Sequence, residues 1–324
     1  MVAWKLFDGD DARWDDALLA LPDHNVYQSS GWARHKLSQG WRLRRAIAGD
    51  RAMVQALYKK FPGGSVLWSR GGPVGEPSLW NDDMRRALTK GLGLCYFRMC
   101  SYREQNAEQA AALFSAGWKR PKHPFNRALT FHFDLTKDEK TLFDGLTENW
   151  RHNLRRGQKR CAPPVHWQDP KAEELIKVYR RMEDWKGIKE HFVEGELTSL
   201  LSHLKDGIIL MRADAQDGTP VALRACVRQG DRAWDLLAAA SNEGRKNYAS
   251  YAIFWALITQ CQKLGVKSYD MGGADPDKAR GVFDFKKGTR AKLVEFLGEW
   301  DWSTFDLARR GFGWALKAKG VGDS

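Results

Sequence analysis

The sequence contains no long apolar run. Its most apolar stretch, residues 249–258, is about ten residues long and is interrupted by a serine and a tyrosine, whereas a membrane-spanning helix needs about 20 apolar residues. The amino-terminal residues also lack a charged segment followed by an apolar one, which is the pattern of a secretory signal. These two absences predict a protein without a spanning helix that works in the cytoplasm.

Cysteine is scarce and unpatterned. The five cysteines form no C-x-x-C pair and leave an odd count, so neither a disulfide framework nor a structural zinc site is expected. The eight histidines show no metal-ligand spacing, and the G-x-S-x-G, H-E-x-x-H and Walker patterns are missing. Serine hydrolase, zinc protease and P-loop chemistry therefore have no support, and we expect neither a metal nor a cofactor.

Positive charge and aromatic side chains are abundant instead. The 52 lysines and arginines outnumber the 40 acidic residues, which gives a net charge of +12. This surplus favours an anionic partner, such as nucleic acid, a phosphorylated small molecule or a membrane surface, although a merely basic soluble protein has the same composition. The 15 tryptophans suit either a core or a stacking surface. Because Trp32, Trp150 and Trp255 fall on apolar helix faces, we assign most of them to the core.

Length and element order predict two domains, since a chain of 324 residues divides into two domains of roughly 150. Both halves follow the order strand, strand, strand, helix, strand, after some helical material. The predicted segments are 42–50, 52–59, 65–68, 79–92 and 94–99, and then 207–213, 221–228, 233–239, 248–263 and 266–271. The repeated order predicts an α/β fold of two tandem acetyltransferase-like (GNAT-type) domains, each a mixed twisted sheet with helices on its faces.

A helix is predicted between the halves, over residues 138–160, because apolar residues recur there at helical spacing. Its carboxyl end carries two rows of cations at four-residue spacing, which are Arg151, Arg155 and Lys159, and Arg156 and Arg160. Like charges at this spacing repel, and a bound anion would relieve that repulsion. A solvated helix end that complements the helix dipole explains the same pattern.

Six segments form a recognisable set along most of the chain. They are 26–36 (VYQSSGWARHK), 70–74 (RGGPV), 135–159 (LTKD through WRHNLRRGQK), 251–255 (YAIFW), 269–275 (YDMGGAD) and 281–286 (GVFDFK). Together they resemble the Fem family (FemABX-like proteins), aminoacyl-tRNA-dependent transferases that build peptidoglycan bridges. The second segment has one glycine more than the family pattern.

The resemblance implies a domain organisation and an activity. It implies a first acetyltransferase-like domain over 1–128, a second over 129–296, residues 297–324 packing back on the first, and an acceptor groove between the two. Residues 171–204 are too short for the helical hairpin that some members carry, so the compact form is expected. The implied activity moves an amino acid from aminoacyl-tRNA to an acceptor amine of a peptidoglycan precursor, either lipid II or the nucleotide-linked muramyl pentapeptide.

Lys286 is the first candidate catalytic residue. It follows a stretch in which alternation places Phe283 and Phe285 on one side, so it could reach into a groove. By resemblance it matches the family lysine that binds the diphosphate region of the acceptor or the developing oxyanion. Without the resemblance, a solvated lysine beside Lys287 is the simpler interpretation.

The remaining candidate site residues lie on helices and at a strand end. Lys36 and Trp32 share a helix face and are both candidates to bind substrate; the family lysine at this place touches the phosphate–sugar part of the acceptor, and the alternative is a lysine stem covering the indole. Tyr251 matches the family's substrate tyrosine, and Tyr248 could share its groove, with helix core and simple exposure as the respective alternatives. Asp270 could accept a proton from the attacking amine, although an aspartate at this point more often caps a loop.

The cationic rows are the candidates to hold tRNA phosphates, together with Lys317 and Lys319 near the carboxyl terminus. We expect aminoacyl-tRNA and an amine acceptor as partners, a monomer, and a possible peripheral contact with the inner face of the membrane.

Two other functions stay open: an acyl-CoA-dependent N-acyltransferase of the same fold, and a non-catalytic RNA-binding module. The first is disfavoured because residues 72–77 and 242–249 lack the glycine-rich turn that cradles a pyrophosphate. Family members with muramyl-pentapeptide acceptors carry an arginine and a tyrosine four residues apart before the second-domain strands. The resemblance does not extend to this pair, which has no counterpart in 186–197, so the acceptor is left open between lipid II, its nucleotide-linked precursor and another amine.

Overall fold

The computed structural model describes residues 2–125, 128–190, 192–305 and 309. The chain divides into two compact units, unit 1 comprising 1–129 and 294–324 and unit 2 comprising 130–293. Lys317 and Lys319 lie outside the described residues. No helix in the described ranges is long and apolar enough to cross a bilayer.

The elements follow the chain in an alternating order. The strands are β1 (Lys5–Leu6), β2 (Arg42–Ala48), β3 (Ala52–Phe61), β4 (Gly64–Arg70), β5 (Val74–Gly75), β6 (Leu94–Glu104), β7 (Leu129–Asp134), β8 (Val165–His166), β9 (Ile208–Asp214), β10 (Pro220–Gln229), β11 (Arg232–Ala240), β12 (Ser268–Gly273) and β13 (Lys292–Ser303). The helices are α1 (Asp11–Leu19), α2 (Ser30–Leu37), α3 (Asp82–Thr89), α4 (Ala107–Ser115), α5 (Glu139–Gly145), α6 (Glu148–Arg160), α7 (Ala172–Lys186), α8 (Glu194–Leu204), α9 (Asn242–Lys246), α10 (Ala249–Lys263) and α11 (Arg280–Gly288).

Unit 1 contains a sheet in the order β1-β2-β3-β4-β6-β13. Neighbouring strands are antiparallel except β4 and β6, which are parallel. Trp80, Trp118 and Trp300 are fully buried in its core, where they pack with Phe97 and Leu67. A large indole removes much apolar surface from water, so these residues dominate the stabilisation of this unit.

Unit 2 repeats the arrangement, with the sheet order β7-β12-β11-β10-β9-β8. Its parallel pair is β11 and β12, and the other neighbouring strands are antiparallel. Helix α10 packs on α6 and on the sheet, and Phe254 of α10 contacts Trp150 of α6 and Tyr269 of β12. The predicted order of three strands, a helix and a strand therefore occurs in both units, and the predicted mixed α/β fold is confirmed.

The prediction that most tryptophans are core residues is also confirmed. The buried ones are Trp4, Trp14, Trp32, Trp80, Trp118, Trp150, Trp234, Trp255 and Trp300. Trp185, by contrast, is 40% exposed.

Two predictions about local structure are wrong. The helix expected over 138–160 is two helices, because Leu146 and Thr147 adopt extended backbone angles between α5 and α6. Thr147 is held there by hydrogen bonds from its N–H and its hydroxyl to the carbonyl of Gly288. The alternation expected over 281–285 is also wrong, since these residues belong to α11 and place Phe283 against Phe131 and Phe285 against Trp150.

Candidate functional site

The parallel strands of unit 2 separate part of the way along their length. Pairing between β11 and β12 runs from Arg232 opposite Ser268 to Trp234 opposite Asp270, and β11 then continues to Ala240 without pairing to β12. In unit 1 the parallel pair stays in register along all of β4, from Gly64 to Arg70. The separation opens the unit 2 sheet from within and frees backbone groups of β12 for other partners.

Lys286 lies at this opening. Its side chain comes from α11, is only 5% exposed, and donates hydrogen bonds from Nζ to the carbonyl oxygens of Gly272 at 3.0 Å and Gly273 at 2.7 Å. Burial lowers the pKa of Lys286 to about 8; Asp235 and Asp270 oppose this shift, while Arg224 adds to it. An ammonium has three donors, so the lysine keeps one N–H beyond these two bonds. The buried cation can therefore donate to a developing negative charge in a site that excludes water.

A buried charged triad lies beside the lysine. Arg224 on β10 donates to both carboxylate oxygens of Asp235 on β11, at 2.9 and 2.8 Å, and the hydroxyl of Tyr269 donates to the same carboxylate at 2.7 Å. A Cβ built on Gly272 would be 3.9 Å from both Asp235 and the Lys286 Nζ, so Gly272 lies close to both the triad and the lysine. Three hydrogen bonds to its two oxygens hold the Asp235 carboxylate in place.

The Arg224–Asp235 pair of this triad was not predicted from the sequence, although the two strand sequences indicate it. The strands VALRACV and AWDLLAA each carry one charge within an otherwise apolar run, and the two charges are opposite. A lone charge in a buried strand requires a partner, because an unpaired buried charge is costly. Two neighbouring strands with complementary lone charges could therefore have been paired from the sequence.

Asp270 does occupy a capping position. Its Oδ1 accepts hydrogen bonds from the Gly272 N–H at 2.8 Å and from the Thr130 hydroxyl. Its Oδ2 lies 3.7 Å from Nε2 of His132, the residue opposite it on β7. The carboxylate thus fixes the turn whose carbonyls hold Lys286, and its role as a proton acceptor stays a prediction.

The two tyrosines at the start of α10 have different surroundings. The ring of Tyr251 lies 5.0 Å from the rings of Trp150 and Phe285. Tyr248 precedes the helix with a left-handed backbone (φ 59°) and accepts a hydrogen bond on its hydroxyl from Arg156 at 2.9 Å. Tyr251 therefore contacts the helix that carries Lys286, while Tyr248 contacts the cationic end of α6.

The five cations of the α6 rows differ in their contacts and exposure. Arg151 donates to the carbonyls of Asp144 and Leu146, at 2.7 and 3.0 Å, and so caps the end of α5. Arg155, Arg156, Lys159 and Arg160 are exposed. The structure therefore gives Arg151 a local structural role and leaves the other four cations at the surface.

Trp32 and Lys36 lie in unit 1, on helix α2 as predicted. Trp32 is buried, and the Lys36 Nζ lies 5.1 Å from its ring centre and donates to the Gln39 side chain at 3.0 Å. The guanidinium of Arg70 lies over the ring of Tyr27 at 4.0 Å and over Trp32 at 5.4 Å. The lysine stem therefore covers the indole, and binding of an acceptor by Lys36 stays a prediction.

The first two resembling segments form a single buried polar network in unit 1. Gln28 donates from Nε2 to the carbonyls of Gln55 and Arg70 at 3.2 and 2.8 Å, and Asn25 donates to the carbonyl of Gly71 at 2.6 Å. A Cβ at Gly71 would be 2.0 Å from the Asn25 side chain, and its φ of +68° also favours glycine. Hydrogen bonds from Gln28 and from the adjacent Asn25 thus join the first segment to the second.

Known proteins resemble this chain in sequence and in fold. The FemAB family model matches residues 186–308. A lipid II:glycine glycyltransferase of Staphylococcus saprophyticus is 25% identical over 135 residues, which cover 40% of this chain and 32% of that protein. The match thus spans about a third of the length of the curated relative.

Solved structures show the same fold over nearly the whole chain. The crystal structure of FemX has a TM-score of 0.83 at 16% identity and covers 95% of this chain and 100% of that one. L-PGS from Bacillus licheniformis has a TM-score of 0.58 at 17% identity over 97% of both chains. A tandem GNAT protein from the clavulanic acid biosynthesis pathway has a TM-score of 0.57 at 12% identity, covering 93% of this chain and 98% of that one. The family match thus covers less than half of the chain, and the solved structures show that the fold is shared over nearly all of it.

Proposed function

We propose that the chain is an aminoacyltransferase that moves an amino acid from aminoacyl-tRNA to an acceptor amine of a peptidoglycan precursor. The observation that carries this proposal is the buried Lys286 ammonium at the point where β11 and β12 separate. The FemAB family match and the glycyltransferase relative support the acceptor class.

The reaction needs an oxyanion stabiliser more than it needs a nucleophile on the protein. The acceptor amine attacks the ester carbonyl carbon, a C–N bond forms, and the C–O bond to the tRNA ribose breaks. The amine loses a proton and the ribose oxygen gains one. Negative charge develops on the carbonyl oxygen in between, and a preorganised buried cation stabilises that charge far better than water does. The buried ammonium of Lys286 supports its assignment as this cation.

The start of α9, the short helix before α10, favours a tRNA donor over acyl-CoA. A coenzyme A pyrophosphate requires free backbone N–H groups at a glycine-rich turn. Here the N–H of Gly244 is occupied by the Ser241 hydroxyl at 3.1 Å, and a Cβ at Gly244 would be 2.4 Å from the carbonyl of Val221. This glycine therefore serves close packing against β10. The exposed cations of α6 provide the phosphate-binding charge instead.

The direct test is a transfer assay with the full chain. The protein is incubated with a pool of tRNA charged with labelled amino acids and, in separate reactions, with lipid II or the nucleotide-linked muramyl pentapeptide. Label on the precursor, with the matching mass increase, is the expected result. Consumption of acetyl-CoA without transfer from any charged tRNA would overturn the proposal in favour of the acyl-CoA enzyme. Binding of RNA without either reaction would favour the non-catalytic module.

A further inference from the structure

Two partly exposed aromatic rings of unit 2 are each faced by arginine. The guanidinium of Arg245 lies 5.0 Å from the ring centre of Trp185, which is 40% exposed. The guanidiniums of Arg156 and Arg160 lie 5.3 and 5.4 Å from the ring centre of Tyr248. Among the described tryptophans only Trp185 is exposed, so its ring is open to a ligand in a way that the others are not.

Helix α9 joins the two pairs into one surface. It carries Arg245, it packs against α7, which ends beside Trp185, and it ends two residues before Tyr248. The carbonyl of Lys246, its last residue, accepts a hydrogen bond from Arg160 at 3.1 Å. We name the surface formed by Trp185, Arg245, Tyr248, Arg156 and Arg160 the aromatic–arginine surface.

The backbone holds Tyr248 in an unfavourable conformation. A positive φ is uncommon for a side chain other than glycine, asparagine or aspartate. The φ of Tyr248 is 59°, and the Arg156 hydrogen bond to its hydroxyl fixes the ring in place. Strained backbone of this kind is concentrated at functional sites.

Ring contacts lead from this surface to the candidate catalytic lysine. The ring of Tyr248 lies 6.3 Å from that of Tyr251, and Tyr251 lies 5.0 Å from Phe285, the residue that precedes Lys286. A flexible strand that stacks on Tyr248 could therefore continue toward Lys286.

We propose that the aromatic–arginine surface stacks the unpaired bases at the 3′ end of the donor RNA, an inference that rests on the proposed function and extends it. Unpaired bases are recognised by stacking on aromatic rings and on guanidinium planes, and the same guanidiniums pair with backbone phosphates. A duplex cannot offer these base faces. The surface therefore distinguishes an RNA with a single-stranded end from a blunt one.

A membrane surface fits this arrangement less well. Insertion into lipid would separate each ring from the guanidinium that covers it, because the charges stay at the headgroup level while the rings enter the acyl region. Stacked bases keep the ring and the guanidinium together.

The test uses fluorescence anisotropy of the full chain with two fluorescein-labelled RNA hairpins that share one stem. One hairpin has four unpaired 3′ nucleotides and the other is blunt. We expect the first to bind about tenfold more tightly, since a stacked base contributes about that factor or more. Trp185→Ala should remove this preference while leaving the affinity for the blunt hairpin within about twofold, and Trp185→Phe should retain it. Both variants change an exposed side chain and should melt at the wild-type temperature.

Trp167 supplies the matched control, because the guanidinium of Arg212 lies 5.0 Å from its ring centre in the same unit. Trp167→Ala should leave the preference unchanged. Equal affinities of the wild type for the two hairpins, or a preference that survives Trp185→Ala, would overturn the inference. So would a loss of binding to phosphatidylglycerol vesicles in Trp185→Ala without any change in RNA preference. The transfer assay decides the proposed function separately, since it reads labelled product rather than hairpin affinity.

Discussion

At the scale of single residues, Lys286 and its neighbour Lys287 form a natural pair for comparison. Lys286 is buried against two carbonyls, whereas Lys287 is exposed. We expect Lys286→Ala to reduce transfer by roughly 10²–10³-fold, as does the loss of one oxyanion donor in other enzymes. Binding of charged tRNA should be nearly unchanged. Lys287→Ala should transfer at the wild-type rate.

Because Lys286→Ala also removes buried side-chain volume, Lys286→Met is the second variant. Its side chain fills the space without charge. Both variants should lose transfer while keeping the wild-type circular dichroism spectrum. Turnover at the wild-type rate in a folded Lys286→Met protein would remove this lysine from the active site.

The lowered pKa of Lys286 also predicts how stability depends on pH. Burial lowers this pKa from 10.5 to about 8, so between these values the unfolded chain binds more protons than the folded one. The free energy of unfolding should therefore rise as pH increases from about 8 toward 10.5, with each pKa unit corresponding to about 1.4 kcal/mol. Lys286→Met should lack this component. Urea unfolding of both proteins across this pH range measures it, and parallel pH curves would contradict the assignment.

At the scale of elements, the close approach of α6 and α10 depends on Gly157. A Cβ at this position would lie 2.6 Å from the backbone carbonyl of Tyr248, which cannot move as a side chain does. We expect Gly157→Ala to destabilise the protein by about 1–3 kcal/mol, the usual cost of overpacking. It should also weaken the preference for RNA with an unpaired 3′ end, because the clash displaces Tyr248.

Gly145 is the matched control for this substitution. It ends α5, and a Cβ there would meet nothing within 4 Å. Gly145→Ala should be neutral or stabilise by up to about 1 kcal/mol. Thermal melts of the two variants give the comparison, and equal melting temperatures would show that the contact between the helices is not limiting.

The helices and strands could be predicted where the apolar pattern was long enough. Strands β2, β3, β10 and β11 and helix α10 lie close to the predicted segments because each shows a consistent pattern over seven or more residues. The six residues 281–286 are too few to separate a two-residue period from a helical one. The break between α5 and α6 depends on a contact of Thr147 with Gly288, far along the chain, which no local pattern encodes.

At the scale of the whole molecule, the structure brings two of the predicted candidate residues together and leaves their roles as predictions. Lys286 and Asp270 do lie at one opening of the unit 2 sheet, whereas Arg224 and Asp235 were missed because their pairing is a tertiary event between strands. The net charge of +12 likewise could not show which cations face solvent. Arg151 turned out to cap α5. The number of cations available to bind RNA therefore depends on the folded structure and could not be counted from the sequence.

The exposed cations of α6 should determine how steeply the affinity for tRNA falls with salt. Arg155 and Lys159 are both exposed and lie one turn apart on α6. Each phosphate contact contributes about 0.7–0.9 to the slope of log K against log salt. Replacing both residues by glutamine should therefore reduce the magnitude of that slope by about 1.5.

Lys140 and Lys267 are exposed cations paired with Asp144 at 2.6 Å and Asp231 at 3.6 Å. Their double glutamine variant removes the same net charge, so an equal change in slope would mean that tRNA responds to the total charge of the protein and not to α6.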